Sequence, residues 1–497
     1  MGSLKVCVLF LSLCAGVLSC DLTSSPEVVL QRTDLAAYIT NKKATINPQY
    51  RLLYHVAPPV GWMNDPNGFA YFKGEYHLFY QFYPYNSSLG GPTGMHWGHS
   101  SSANLVDWTE HPTALIPGKE QIFSGSGIEI SGTLVLMYTG HINAPEHSGL
   151  ADTEAQYLAF SNDGIVFNKY KNNPVIAKSP NGSPDFRDPK VWKYGDYYYV
   201  VLGSKTEEGY GRVLLYRSED MATWTFLNTI GQPSSRMGYM WECPDFFQLG
   251  NKFILLMSPQ GLAPEGDRYK NLYQTGYIIG DFSYQTNQFV EQVPFQEIDY
   301  GHDFYATQTT ERDGKRYLIA WFGMWNTTFP EAADGWAGAM TIFRELTLSG
   351  NRILMKPVST ITSLRESSAF NGNLAQNAFI ELNKTGEINL SGDLSQAIDL
   401  DIKGAEGGDI RIRWNATTKI VSVDRDDAGE RNIRQGPWTP VGSTSWRIFL
   451  DASSMELFCG EGEVVFSSRV YPTGQWVITN LSAQTLTVSA YRLRKSV

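Results

Sequence analysis

The stretches SANLVDW (102–108), SNDGIVF (161–167) and SEDMATW (218–224) share one plan. Each begins with Ser, turns through polar residues and ends on an aromatic residue six positions later. They recur at spacings of 59 and 57 residues, and self-similarity at a steady period is the mark of a repeat architecture. Strand signals surround them. EYHLFYQFY, TLVLMYTG, DYYYVVLGS, KFILLMS and RYLIAWFG are short, aromatic or β-branched, and bounded by Gly, Asp or Asn. A β-rich unit of this length fits a four-stranded propeller blade. Residues 51–355 have room for five such blades. A helix is predicted only near the N-terminus, over EVVLQRTDLAAYITNKKA (27–44).

Five polar motifs fall at one phase of this repeat. Asp65 sits in NDPNG, Ser124 in IFSGSG, Asp188 in FRDPKVW, Glu242 in MWECPDFF and Asp303 in GHDFYATQT, at intervals of 59, 64, 54 and 61. Each lies just before or within the first strand of a blade, and first strands line a propeller's central channel. Side chains far apart in sequence therefore converge at one end of the axis. NDPNG alone would read as a turn between strands. Its phase makes Asp65 part of a shared polar pocket.

Asp65, Asp188 and Glu242 then meet. Two carboxylates flanking a scissile bond are the equipment for glycoside hydrolysis, one ionised and one holding a proton. Glu242 lies between Trp241 and Cys243-Pro244, a setting that should disfavour charge and suit a general acid. Asp188 follows Arg187, whose charge should keep it ionised and suited to binding substrate hydroxyls. Asp65, between Asn64 and Asn67, suits a permanently ionised nucleophile. Clustered acids can also hold metals, but His77, His96, His99, His141 and His302 show no ligand spacing. No metal and no cofactor is expected. Neither a serine nucleophile elbow nor a phosphate-binding loop is present.

Composition limits the alternatives. The 497 residues include 42% hydrophobic and 18% charged residues, enough for a sizeable core. A net charge of −10 argues against nucleic-acid and anionic-membrane partners and suits a neutral small molecule. MGSLKVCVLFLSLCAGVLSC (1–20) reads as a secretory signal peptide, followed by an N-terminal segment over 21–50. Three of five cysteines lie in that leader, so no disulfide framework is implied. Sequons at Asn86, Asn181, Asn326, Asn383, Asn389, Asn415 and Asn480 favour a secreted glycoprotein. Residues 366–497 alternate apolar and polar, as in RIFLDASSMELF, which predicts a β-sandwich without catalytic residues. Asp451 and Glu456 there read as structural or interface groups. The fold class is all-β, a five-bladed β-propeller followed by a C-terminal β-sandwich. The sequence sets no oligomeric state.

WMNDPNG, FRDP and WECPD, in this order, resemble the signature motifs of glycoside hydrolase family 32. The likeness extends through YHLFYQFYP, MHWGHSSSANLVDW, FSGSG, DFYATQT and WRIFLDASSMELFCGEGEVVFSSRVYP, covering nearly all the chain after residue 50. The resemblance implies a five-bladed propeller with a β-sandwich, and hydrolysis with retention through a covalent fructosyl intermediate. By motif, Asp65 resembles the nucleophile, Asp188 the transition-state stabiliser and Glu242 the acid/base. Asn64, Gln81, Ser124 and Arg187 resemble residues that hold the fructosyl unit, Trp97 and Trp321 resemble aromatic lining, and Asp303 is grouped with the substrate-binding residues. One departure is that SLGGPTGMHWGH has no Trp before Trp97, where many relatives carry a Trp-Gly. The implied activity is a secreted β-fructofuranosidase (invertase) acting on sucrose and other terminal β-fructofuranosides. A fructan exohydrolase or fructosyltransferase is the alternative on the same fold, and a non-catalytic fructan-binding propeller the alternative of another class.

Overall fold

The computed structural model describes residues 26–497, except 92, 147, 181–182, 232–234 and 428–429. The leader and the sequon at Asn181 lie outside the described residues. Twenty strands form five four-stranded antiparallel sheets in chain order. Blade I holds Gly61–Phe72, Glu75–Tyr83, His96–Ser102 and Thr109–Glu110. Blade II holds Gln121–Ile130, Thr133–Ile142, Thr153–Ser161 and Asn168–Lys169. Blade III holds Phe186–Tyr194, Tyr197–Lys205, Gly211–Ser218 and Thr225–Ile230. Blade IV holds Met240–Leu249, Lys252–Gln260, Gly276–Ser283 and Gln288–Glu297. Blade V holds Tyr305–Arg312, Lys315–Trp321, Arg344–Ser349 and Arg352–Pro357. The first strands of successive blades touch, and that of blade V touches that of blade I, so the ring is closed. A short strand, Trp336–Ala337, leaves blade V and pairs in parallel with Gly61 and Trp62 of blade I.

The three Ser-to-aromatic segments join the third and fourth strands of blades I–III by one and the same turn. The second residue after each Ser (Asn104, Asp163 or Asp220) accepts two backbone N–H groups with its Oδ1, from Val106 and Asp107, Ile165 and Val166, or Ala222 and Thr223. The next residue is left-handed in each, at φ 65° for Leu105, 82° for Gly164 and 66° for Met221. Side-chain capping of a turn by Asn or Asp explains why the motif recurs. Blade IV uses a fourth, divergent copy, SYQTNQF (283–289), in which Ser283 Oγ accepts from Gln285 and Thr286.

Residues 365–493 form two six-stranded antiparallel sheets packed face to face. Their inner faces share one core that includes Trp414, Trp438, Trp446 and Trp476. The predicted N-terminal helix spans Pro26–Lys43 and lies against the propeller, with Arg32 Nη2 donating to Phe167 O at 2.6 Å and Lys43 pairing with Glu110.

The two domains meet over a buried ionic network. His55 is 1% exposed, with Nδ1 2.8 Å from Asp451 Oδ2 and Nε2 2.9 Å from Glu456 Oε1. Ionised carboxylates only accept, so both ring nitrogens must carry protons and the ring is an imidazolium. Arg344 joins Glu456 at 2.7 Å and Asp299 at 2.9 Å. Asp451 and Glu456 are thus interface groups, as the sequence suggests. Burial opposes the charge on His55, but hydrogen bonds to Asp451 and Glu456 carry its pKa above the ordinary value.

This network yields a pH-dependent stability. A raised folded pKa means that the His55 contribution is complete below the unfolded imidazole pKa of about 6.5, and is lost as pH rises through the folded value. His55→Ala leaves two buried carboxylates short of a donor, a loss of about 3–5 kcal/mol. Thermal unfolding should show a lower midpoint for the variant at pH 6, with the gap closing at alkaline pH. A gap independent of pH would show that His55 is neutral.

Candidate active site

Every innermost strand carries one extra residue at the same end of the channel. Asn64-Asp65 face Gln81, Phe123-Ser124 face Thr139, Asp188-Pro189 face Leu202, Cys243-Pro244 face Met257, and Ala306 is inserted in blade V. Such β-bulges re-aim side chains and recur beside active sites. Asp188, Cys243 and Ala306 are left-handed at φ 65°, 48° and 53°, uncommon for non-glycine residues. At Gly125 an added Cβ would lie 2.0 Å from Met137 O, so the bulge of blade II requires glycine.

The bulges turn three carboxylates into one pocket. Asp65 Oδ1 accepts from Asn64 Nδ2 at 3.1 Å and Asp65 Oδ2 from Ser124 Oγ at 2.8 Å. Cys243 lies between the two aspartates, its Sγ 3.5 Å from Asp65 Oδ2 and 3.7 Å from Asp188 Oδ2. Its backbone N donates to Asp188 Oδ2 at 2.9 Å. Glu242 receives four hydrogen bonds. Arg187 Nη2 and Nε reach Oε1 at 2.8 and 3.1 Å, while Tyr305 Oη and Gln260 Nε2 reach Oε2 at 2.6 and 2.9 Å. Arg187 Nη1 turns to Glu154 and Asp185, both at 3.2 Å. Burial opposes charge on Arg187, but Glu242, Glu154 and Asp188 keep it firmly protonated.

The electrostatics differ from the sequence expectation. Asp65 and Asp188 are 8% and 6% exposed. Burial is the largest influence on Asp65 and, with the Glu242 charge, lifts its pKa, while Ser124, Asn64 and Cys243 pull it back. Burial also leads at Asp188, and with Glu242 and Asp65 pushes that carboxyl up to about 8 against the pull of Arg187. Arg187 does not hold Asp188 ionised because its guanidinium hydrogen-bonds Glu242, Glu154 and Asp185 instead. Nor is Glu242 in an apolar niche. Trp241 turns into the blade core, with Nε1 donating to Met237 O, and leaves Glu242 among polar donors.

The structure brings Asn64, Asp65, Ser124, Arg187, Asp188 and Glu242 together. Gln81 lies opposite the Asn64-Asp65 bulge, buried, with Nε2 unpartnered. Three expected binding residues lie elsewhere or behind the wall. Trp97 is fully buried against Phe79 and Tyr138, with Nε1 donating to Phe123 O, so it is core of blades I and II. Trp321 is fully buried and backs Trp62, Trp325 and Phe329. Asp303 bonds Arg425 and the Arg469 backbone N, and so ties the propeller to the sandwich. Its repeat phase fails because the bulge of blade V falls at Ala306. The blade's polar contribution is Tyr305.

Sequence reasoning missed Tyr305, Gln260 and Glu154, which grip Glu242 and Arg187. Gln260 and Glu154 sit on second and third strands and carry no motif. Tyr305 lies within the quoted DFYATQT. The apolar wall adds Trp62, Trp325 and Phe329. Among the described residues no cluster of His, Cys, Asp and Glu is disposed to hold a metal ion. The arrangement offers a paired acid and nucleophile with a third carboxyl beside them, which is the equipment for glycosidic bond cleavage.

The model for the glycosyl hydrolases family 32 N-terminal domain matches residues 55–357, and that for the C-terminal domain matches 354–493. The chain belongs to this family and is a glycoside hydrolase. It is 55% identical to the GH32 beta-fructofuranosidase of Bombyx mori, with a TM-score of 0.90 over 94% of this chain and 99% of that one. A variant of that silkworm protein is known in complex with sucrose. A sucrose-6-phosphate hydrolase of Zymomonas mobilis is 41% identical, covering 84% of this chain and 86% of its own. A raffinose invertase of Escherichia coli is 36% identical, covering 84% and 89%.

The crowding has a stability consequence. An unfolded Asp releases its proton at about pH 4, and burial moves the release from folded Asp188 up to about 8. Between these values the folded state binds more protons, so stability falls as pH rises. Asp188→Asn removes that term. Its unfolding midpoint should match wild type near pH 4 and exceed it increasingly towards pH 8. An Asn variant less stable at pH 8 than at pH 4, relative to wild type, would overturn this electrostatic reading.

Proposed function

We propose that the chain is a secreted β-fructofuranosidase that cleaves sucrose with retention through a covalent fructosyl-enzyme. The observation that carries this reading is the convergence of Asp65, Asp188 and Glu242 on one buried pocket. Asp65 attacks the anomeric carbon of the fructosyl unit. Glu242 gives its proton to the glycosidic oxygen, the bond to glucose breaks, and glucose leaves as the neutral sugar. Glu242 then takes a proton from water, whose oxygen attacks the same carbon, and Asp65 departs as a carboxylate. Two displacements restore the starting configuration. Asp188 stabilises the oxocarbenium-like transition state through hydroxyl hydrogen bonds that strengthen as charge develops. Asn64 and Ser124 orient the nucleophile, Gln81 offers a free amide to the fructosyl unit, and Arg187 orients Glu242.

A sucrose-6-phosphate hydrolase is the second reading, favoured by the names of curated relatives. The charges beside Glu242 favour the unphosphorylated sugar. Arg187 bonds three carboxylates, Lys205 pairs with Asp185 at 2.6 Å, and His141 lies 3.4 Å from both Asp152 and Glu154. A phosphate there would face Glu154 and Asp185. Secretion rests on the leader, and glycosylation on the sequons. Asn86, Asn326, Asn383 and Asn415 are exposed, whereas Asn480 is fully buried and donates its amide to Leu374 and Gln484 carbonyls, which leaves no room for a glycan.

Incubation with sucrose, sucrose 6-phosphate, raffinose, inulin and levan, followed by product sizing, tests the reading. Sucrose should be cleaved with a higher kcat/KM than its phosphate. Early NMR spectra should show β-fructofuranose before mutarotation, and an α anomer appearing first would overturn retention. Asp65→Asn should lower sucrose turnover by orders of magnitude in a folded protein. Glu242→Ala should form the fructosyl-enzyme from β-fructofuranosyl fluoride far better than from sucrose, with azide restoring turnover. Equal loss on both substrates without azide rescue would remove Glu242 from the acid/base role.

A further inference from the structure

In the proposed mechanism the fructosyl carbon meets Asp65 and the glycosidic oxygen meets Glu242, which puts the leaving sugar on the Glu242 side of the scissile bond. Two tyrosines stand there. Tyr239, three residues before Glu242, is 44% exposed. Its Oη is 3.2 Å from Tyr273 Oη. The Tyr273 ring lies 5.9 Å from that of Tyr305, whose hydroxyl donates to Glu242 at 2.6 Å. One residue ties the group together: Gln260 O accepts from Tyr239 N at 2.9 Å, its backbone bridges Tyr273, and its Nε2 donates to Glu242. The Tyr239 ring also rests on Gly261, where a Cβ would come within 2.5 Å of Tyr239 Cδ1. The ring is therefore seated before any ligand arrives, although nearly half of the residue faces water. An exposed aromatic ring is thus held ready beside the proposed acid/base group. It suits the apolar face of a pyranose ring, and preorganisation cuts the ordering cost of binding. The paired hydroxyls offer donors and acceptors at the edge of that face.

We infer that Tyr239 and Tyr273 form the subsite for the leaving sugar, with the Tyr239 ring stacking on an uncharged hexopyranose. This rests on the proposed β-fructofuranosidase activity and deepens it. Tyr273 packs in the same apolar cluster as Trp62, Trp325 and Phe329, so the subsite extends that wall to the leaving-group side. Asp185, held by Arg187 beside Glu242 and partly exposed, offers an acceptor to a sugar hydroxyl.

The test uses two substrates that share the fructosyl unit and differ in the leaving group. Sucrose carries a glucosyl group, and β-fructofuranosyl fluoride has nothing to stack on Tyr239. In Tyr239→Ala the ratio of kcat/KM for sucrose to that for the fluoride should fall about tenfold, mainly through KM for sucrose. Tyr239→Phe, which keeps the ring and loses the hydroxyl pair, should recover most of the ratio. Free glucose should also inhibit wild type more strongly than Tyr239→Ala. A ratio unmoved in Tyr239→Ala, or equal losses in the Ala and Phe variants, would overturn ring stacking. If wild type cleaves neither substrate, the failure belongs to the proposed activity. If it cleaves both and the ratio stays fixed, the failure belongs to the subsite alone.

Discussion

Three carboxyl groups in one buried pocket repel one another, and the guanidinium of Arg187 makes the arrangement tenable. It bridges Glu242 on one side and Glu154 with Asp185 on the other. Without it, five acids would share a region of low polarity with only hydrogen bonds to offset them. The fork geometry of arginine matters here, because Nε and Nη2 both engage Glu242 while Nη1 turns outward. Asp65 and Asp188 are left to neutral donors: an amide, a hydroxyl and a backbone N–H. The site thus keeps one acid in the reach of a fixed cation and two in the reach of dipoles.

Much of this was legible in the chain, for reasons that can be named. The Ser-to-aromatic turns recur because one capping arrangement closes the outer edge of three blades, so composition and spacing were both conserved by the geometry itself. SYQTNQF does not read as a copy of the motif because Gln285 replaces the short Asn or Asp whose Oδ1 caps the others. The phase of Asp65, Ser124, Asp188 and Glu242 was readable because the bulges fall at equivalent places in blades I–IV. Asp303 followed the same spacing but not the same structure, since repeat distance cannot tell an innermost strand from the loop that leads to it. The charge states were not readable at all. Sequence neighbours of Glu242 are apolar, yet side chains alternate across a strand, and its spatial neighbours come from three other strands and two other blades.

The β-sandwich contributes no group to the pocket, but its place in the molecule is fixed by charge as well as by apolar packing. Phe449, Phe458, Val465 and Leu493 join the propeller's own core, and around them run His55, Arg344, Asp299, Asp451 and Glu456. Buried ionic groups of this kind add little net stability over an apolar interface, but each demands its partner. The segment 51–60, the last strands of blade V and the sandwich are therefore locked in one register. Tyr305, which grips Glu242, begins two residues after Asp303, which is anchored to Arg425 and Arg469 of the sandwich. The second domain thus holds one wall of the pocket at a distance.

Ring closure has a consequence in time. Gly61 and Trp62 find their parallel partners only in Trp336 and Ala337, near the end of the propeller. At roughly 5–20 residues per second of synthesis, blade I emerges on the order of tens of seconds before that partner exists. During this interval its innermost strand has no neighbour on the blade V side, and an unpaired strand edge invites association with other chains. Closure of the ring therefore cannot precede synthesis of about two thirds of the chain.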